Sequence, residues 1–374
     1  MIYLDNAATT KPSEKAVSVM LSALREDYGN PSSQHGMGQR AAELLFSARK
    51  GIAAALDAQP NEIFFTSGGC EGNTMALFSA AEYGQKQGKR HIISQQTEHH
   101  SVLECLNALQ KRGFEVTLLP VDSEGRLSPD SVASALRPDT ALVTVMTANN
   151  EIGTIQPIAE IGELCRNRKV IFHTDAVQAA GVLPIDVSLL KCDMLTISAH
   201  KFHGPKGAGA LYVRGGIPVS PIIYGTQERG RRGGTENLPA VAGMSAALAE
   251  AVSEMEHRTE RIAALRDMLI EGISALPDTY LNGSSTNRLC GNVSFCFGSI
   301  TGERLVYELS RRGICASSGS ACSSGMSEPS RVMLAIGRST ELAKGALRLS
   351  LSHDNTKEDV TAALSALKDI LNSL

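Results

Sequence analysis

Between about residue 61 and residue 213, seven short apolar runs alternate with stretches of helical periodicity: 63–65, 91–93, 116–119, 141–145, 170–172, 194–197 and 210–213. Strand-length runs separated by helices predict a mostly parallel seven-stranded sheet covered by those helices, an α/β fold. A long helical pattern over about 239–275 follows. Strand and helix patterns at 292–297, 302–312 and 346–351, with a last helix from Thr356, then predict a smaller α+β domain. The expected division is 13–255 for the large domain, with 1–12 and 256–374 forming the small one.

A chain of 374 residues, 43% hydrophobic and 20% charged, is long enough for two cores. Its net charge of −3 gives no general attraction to nucleic acid or anionic membranes, so neither is an expected partner. The N-terminus lacks a basic segment followed by an apolar one, and no apolar run approaches the ~18 residues that span a bilayer. The expected compartment is the cytoplasm. Eight cysteines include no CxxC pair, which fits reduced thiols. Cys105, Cys165 and Cys296 fall on apolar faces and read as small core residues, whereas Cys322 alone sits in a setting that calls for exposure.

Covalent chemistry is suggested at two centres. Lys201 follows the apolar run 195–197 in Ser198-Ala199-His200-Lys201; desolvation and neighbouring cations turn such a lysine into an amine nucleophile toward an aldehyde, of which pyridoxal phosphate (PLP) is the obvious one. Thr66-Ser67-Gly68-Gly69-Cys70-Glu71-Gly72-Asn73 follows a strand and opens a helix, so it reads either as a phosphate cradle, with Gly69 and Cys70 offering backbone N–H groups, or as an ordinary capped turn. Asp175, ending the run 170–174, suits a protonated pyridine nitrogen. Gln178 suits a phenolic oxygen, and Asn150 that oxygen or the substrate. His99 suits stacking over a ring and proton exchange near neutral pH. These residues come in order, each expected at the end of a successive strand, where open α/β sheets bind ligands.

The motifs YLDNAATT (3–10), GNPSSQHGMG (29–38), FTSGGCEGN (65–73), TEHHSV (97–102), NNEIGTIQP (149–157), HTDAVQ (173–178), SAHKFHGPKG (198–207), QERGRRGGTEN (227–237) and SSGSACSSG (317–325) resemble those of the class I (NifS/IscS-type) cysteine desulfurases nearly end to end. The resemblance implies the fold type I of PLP-dependent transferases, like that of aspartate aminotransferase. It implies that Lys201 is the Schiff-base lysine, His99 the stacking residue, Asp175 and Gln178 ring partners, and Ser198 and His200 phosphate ligands. Thr235 resembles a phosphate contact given by the other subunit, which implies a homodimer. Arg348 resembles the clamp for a substrate carboxylate. The implied reaction converts L-cysteine to L-alanine and leaves sulfur on Cys322 as a persulfide, for a sulfur acceptor such as an iron–sulfur scaffold protein; Cys322 is then also an expected iron–sulfur ligand during transfer.

Two departures stand out. Cys70 occupies a position where the family has threonine, and a thiol is a weaker donor than a hydroxyl. The chain also ends at Leu374, without the longer tail by which housekeeping members dock their scaffold. Arg229, Arg231 and Arg232 read as local electrostatics beside a phosphate site. A selenocysteine lyase or an aminotransferase needs Lys201 and Asp175 without a persulfide on Cys322, and a cofactor-free iron–sulfur scaffold needs only the cysteine.

Overall fold

A computed structural model describes residues 1–319 and 329–373. The chain opens with the two-residue strand β1 (Ile2–Tyr3). The seven apolar runs become β2 (Ile63–Thr66), β3 (His91–Gln95), β4 (Glu115–Leu119), β5 (Thr140–Thr144), β6 (Ile171–Asp175), β7 (Met194–Ser198) and β8 (Gly209–Val213). They form one sheet in the order β2-β8-β7-β6-β5-β3-β4, in which only β8 runs antiparallel to its neighbours. Every residue of β5, β6 and β7 is buried, as strands covered on both faces must be.

Four helices before and within this sheet matter for the site: α1 (Glu14–Arg25), α2 (Gly36–Ala55), α3 (Gly69–Lys86) and α4 (His100–Lys111). One sheet face packs a core that includes Ile52, Phe65, Phe172, Leu195 and Met244, and the other packs Phe64, Met75, Leu106 and Leu211. The helical pattern expected over 239–275 is two helices, Leu238–Ser253 and Met255–Ser274, broken at Glu254 (φ −111°, ψ 8°).

A second, four-stranded sheet contains β9 (Thr279–Leu281), β10 (Asn292–Phe297), β12 (Ser317–Ser318) and β13 (Ala346–Ser350), in the order β12-β13-β10-β9. The pair β11 (Ile314–Cys315) and β1 lies beside it. The helices Gly302–Arg311 and Lys357–Asn372 pack with this sheet around Leu4, Phe295, Leu309 and Leu367. Leu4 draws the N-terminal segment into that core, so residues 5–10 run back across the C-terminal ends of the large sheet's strands, where the Ala7 and Ala8 carbonyls meet Lys201.

Candidate active site

Strand termini place the reactive groups. Lys201 closes a single 3-10 turn after β7 and donates from Nζ to the carbonyl of Ala8 at 2.9 Å and to that of Ala7. Asp175 ends β6 and is 4% exposed; its Oδ1 accepts from the Val177 N–H at 2.9 Å and its Oδ2 from Asn73 Nδ2 at 2.7 Å. The expectation that every site residue stands at the end of a successive strand needs correction. β4 contributes none, and Asn150 lies six residues past β5, in a turn where its backbone carbonyl accepts from Arg348 at 3.0 Å. Sequence order along a sheet is not spatial order, and β4 is an edge strand away from the centre.

His99 is the N-cap of α4. Its Nδ1 accepts from the Ser101 N–H at 3.2 Å and lies 2.8 Å from Ser101 Oγ. Asn73 Nδ2 donates to that same hydroxyl at 2.9 Å, so the hydroxyl's own proton points at His99 Nδ1. The chain Asp175–Asn73–Ser101–His99 therefore leaves the His99 proton on Nε2. Burial, with help from Lys201 and His100, lowers the His99 pKa against the opposing pull of Asp175, favouring the neutral ring.

The phosphate-sized corner is built from glycine. Gly68 holds φ +153° and caps α3 without a side chain, and Gly69 lies so close to Val177 that a Cβ there would stand 2.9 Å from its methyl group. Across the sheet a Cβ on Gly209 would stand 2.7 Å from the Gly68 Cα, so β8 must present glycine there for the turn to lie flat on it. Ser198 is buried at the end of β7, and His200 Nδ1 lies 3.2 Å from Thr9 Oγ1. Burial, then Lys201 and Lys206, push the His200 pKa down to about 4. Gln178 donates to the Ala7 carbonyl at 3.0 Å.

Arg348, from β13, is 5% exposed and pairs with Asp5 at 2.9 Å; among the described residues its Nε has no hydrogen-bond partner. Lys201, Asp175, His99 and Arg348 all border one cavity of about 470 Å³, together with Gly69, Cys70, Asn150, Gln178, Ser198 and His200. Thr235 is exposed and does not border it. Cys322 lies outside the described residues, as does the core of the Gly/Ser-rich run, while Gly319 and Ser330 border the cavity on either side of it.

The donor set fits a phosphorylated pyridine aldehyde. It offers an amine, a buried carboxylate, a flat imidazole, an uncapped helix N-terminus of 18 residues and an arginine with an unused N–H.

Several participants escaped the sequence reading. Asn73 and Ser101 carry the Asp175–His99 network, and Asp5 orients Arg348. Glu98 borders the cavity fully buried, with Oε1 accepting from the Met146 N–H at 2.7 Å; burial, with the Asp175 charge adding, pushes its pKa up to about 8. Glu151 accepts from Ser330 Oγ at 2.5 Å, and burial raises it to about 7. All five lie within the recognised motifs or beside them, and contiguity with an assigned residue was the available signal. The cysteine expectations divide: Cys105, Cys165 and Cys296 are buried, but Cys70 is exposed as well as Cys322 being expected so. The three arginines act locally, as expected. Arg232 pairs with Glu71 at 2.8 Å, and Arg229 and Arg231 lie over the Phe64 ring.

The profile of the class-V aminotransferases matches residues 2–363. The chain belongs to the class-V aminotransferase family. It is 48% identical to the cysteine desulfurase IscS of Methanosarcina thermophila over 100% of this chain and 92% of that protein, and 46% identical to that of Dictyoglomus turgidum over 100% and 95%. A solved NifS-like protein superposes with a TM-score of 0.94 at 38% identity, covering all of both chains. SspA in complex with cysteine superposes with a TM-score of 0.83 at 35% identity, covering 94% of this chain and 99% of that one. These neighbours carry the fold type I of PLP enzymes, as expected, and the family is PLP-dependent. Among the described residues no helix is long and apolar enough to cross a membrane.

Proposed function

We propose that the cavity binds PLP and L-cysteine and that Cys322 takes up the released sulfur. The chain is a cysteine desulfurase, as its family relatives are. The observation that carries the finer reading is the convergence of Lys201, Asp175, His99 and Arg348 on one cavity from the ends of β7, β6 and α4 and from β13.

Bound there, PLP supplies an aldehyde that captures amines and a ring that accepts electrons from the substrate Cα. Gly69, Cys70, Ser198 and His200 would hold its phosphate, Asp175 its ring nitrogen, Gln178 and Asn150 its phenolic oxygen, and His99 its face. Lys201 would be the amine that holds the aldehyde, and its Nζ would hold and move the proton at the substrate Cα. Arg348 binds the substrate carboxylate, and its unused Nε–H and the flat guanidinium suit two parallel hydrogen bonds. The Cys322 thiolate attacks the substrate sulfur. One S–S bond forms as the Cβ–S bond breaks, and Cβ takes a proton. The sum is one thiol and L-cysteine giving one persulfide and L-alanine, with no outside oxidant.

The same reading divides the chain at 13–255 and at 1–12 with 256–374. In its favour, one large core spans Ala16 to Leu248, and the small-sheet core joins Leu4 to residues 262–370. It also makes the molecule a homodimer in which Thr235 reaches the partner's phosphate, hands sulfur to an acceptor protein, and works in the cytoplasm.

Intact-mass measurement of the protein mixed with L-cysteine, alongside alanine quantification, tests the reading for wild type, Cys322→Ser and Lys201→Ala. One added sulfur at Cys322 with alanine in wild type, and neither in the variants, is expected. Equal alanine from Cys322→Ser would make the enzyme a different PLP lyase.

A further inference from the structure

We propose that His203, His353 and Asp354 bind a zinc-class divalent cation that ties the loop carrying Lys201 to the loop that follows Arg348. His203 lies two residues beyond Lys201, and His353 lies three residues past the end of β13, which carries Arg348. The cation would therefore span the two parts of the chain that supply the reactive amine and the carboxylate clamp.

The His203 ring is already oriented as a ligand. Its backbone N–H donates to Thr10 Oγ1 at 2.8 Å, its carbonyl accepts from the Ser13 N–H at 2.9 Å, and its Nδ1 lies 2.8 Å from the Lys11 carbonyl. A carbonyl only accepts, so Nδ1 carries the proton and Nε2 keeps a free lone pair. A backbone carbonyl fixing the second nitrogen is the usual outer support of a metal-binding histidine.

The His353 ring faces it, with centroids 4.3 Å apart and planes inclined at 59°. Among the described residues neither nitrogen of His353 makes a hydrogen bond. Its nearest acid is Asp354, whose Oδ1 is 3.6 Å from Nε2, beyond hydrogen-bond range. Two imidazoles and a carboxylate thus offer donors that no protein group uses among the described residues.

The donor atoms of the three residues lie within 4.8 Å of one another. A tetrahedral cation with bonds of about 2.0–2.1 Å needs donors roughly 3.4 Å apart, so no pair has to close by more than about 1.4 Å. Asp354 has the freedom to make that move, its side chain being 58% exposed. A cavity of about 90 Å³ bordered by His203 and His353 leaves room for a water as fourth ligand.

Charge nearby does not forbid the site. Arg258 also borders that cavity, but it is paired with Glu250 at 2.9 Å and Glu254 at 2.7 Å. Burial lowers both imidazoles, His353 to about 4, so at neutral pH they are in the form that ligates. Nitrogen donors with one carboxylate select zinc, cobalt(II) or nickel(II) over calcium and magnesium.

The test titrates the PLP-loaded full chain, without L-cysteine, with Co²⁺ alone and with Zn²⁺ alone, for wild type, His353→Ala, Asp354→Asn and Cys322→Ser. One Co²⁺ per chain is expected, showing the visible bands of a tetrahedral ion without a thiolate charge-transfer band, and unchanged in Cys322→Ser. His353→Ala should weaken both ions about tenfold or more, with a smaller loss in Asp354→Asn. Equal affinity in wild type and His353→Ala, or loss of the ion in Cys322→Ser, would overturn the site.

Discussion

Asp175 and His99 act as one unit because Asn73 and Ser101 join them, and the join explains which part of the site was legible. A carboxylate ending a strand and a histidine opening a helix stand out in a sequence. An asparagine inside one helix and a serine in the first turn of the next look like ordinary polar residues until the fold brings them within 2.9 Å of each other. Asn73→Ala removes the donor to Asp175 and frees the Ser101 hydroxyl to turn. We expect a fall in alanine production of about tenfold, a loss near 1.4 kcal/mol, with a shifted pH optimum because His99 loses the hydrogen-bonded link to Asp175 that Asn73 provides. An unshifted pH profile would reduce Asn73 to a packing residue. Glu98 was invisible for a different reason: nothing in Thr-Glu-His announces a carboxyl that is fully buried. Its folded pKa, raised to about 8, lies above the unfolded value, so the folded state holds the extra proton between them. Its stabilising share is complete below pH ~4.5 and is lost as pH rises through 8, at up to about 1.4 kcal/mol per pH unit. Glu98→Gln should therefore gain on wild type in denaturation midpoint between pH 6 and pH 8.5. Parallel curves would show that Glu98 is ionised throughout.

The seven strands of the large sheet were legible because strands buried on both faces need unbroken apolar runs, and each such run is flanked by helical periodicity. The break at Glu254 was not, since Ser253-Glu254-Met255 contains neither proline nor glycine to mark it. Contacts between elements were equally silent. The antiparallel strand β8 supports the phosphate turn through Gly209, and the sequence shows only a glycine in an apolar run. Gly209→Ala places a methyl group 2.7 Å from the Gly68 Cα and must lift the turn from the sheet. PLP should dissociate at least tenfold faster on dialysis, while retention equal to wild type would show that the turn does not hold the phosphate. Glu228 performs a similar task for the arginine-rich loop. It is 6% exposed, accepts from both terminal nitrogens of Arg49 and takes the Phe65 N–H of β2 at 3.0 Å. Removing one partner of such a buried pair strands the other, so Glu228→Ala should cost about 3–5 kcal/mol in denaturant unfolding. A loss below 1 kcal/mol would place the loop's anchor elsewhere.

At the scale of the molecule, exposed apolar side chains point to contact with another protein surface. Leu21 and Leu24 on α1, Phe46 on α2, and Tyr28 and Tyr224 are exposed large apolar side chains, Tyr224 at 85%. Tyr224 stands in the loop that also carries exposed Thr235, and Phe46 shares a surface hollow with Arg229 and Glu236 of that loop. Exposed apolar side chains on the same loop as an exposed polar turn suit an isologous contact, in which each copy offers the same patch and reaches into the other's site. In the proposed homodimer Thr235 would complete the phosphate corner of the partner, consistent with its lying outside the cavity of its own chain. Thr235→Asp sets a carboxylate against that phosphate, and Lys201→Ala removes the amine; each homodimer should make little alanine. When the two variants are co-expressed in equal amounts, random pairing gives about half mixed dimers, each with one site that has both wild-type residues, or about a quarter of all sites. Alanine production near a quarter of wild type would show that Thr235 serves the neighbouring site. Activity no higher than the sum of the two homodimers would show that each chain completes its own, and the exposed apolar patch would then have to be explained by the sulfur acceptor instead.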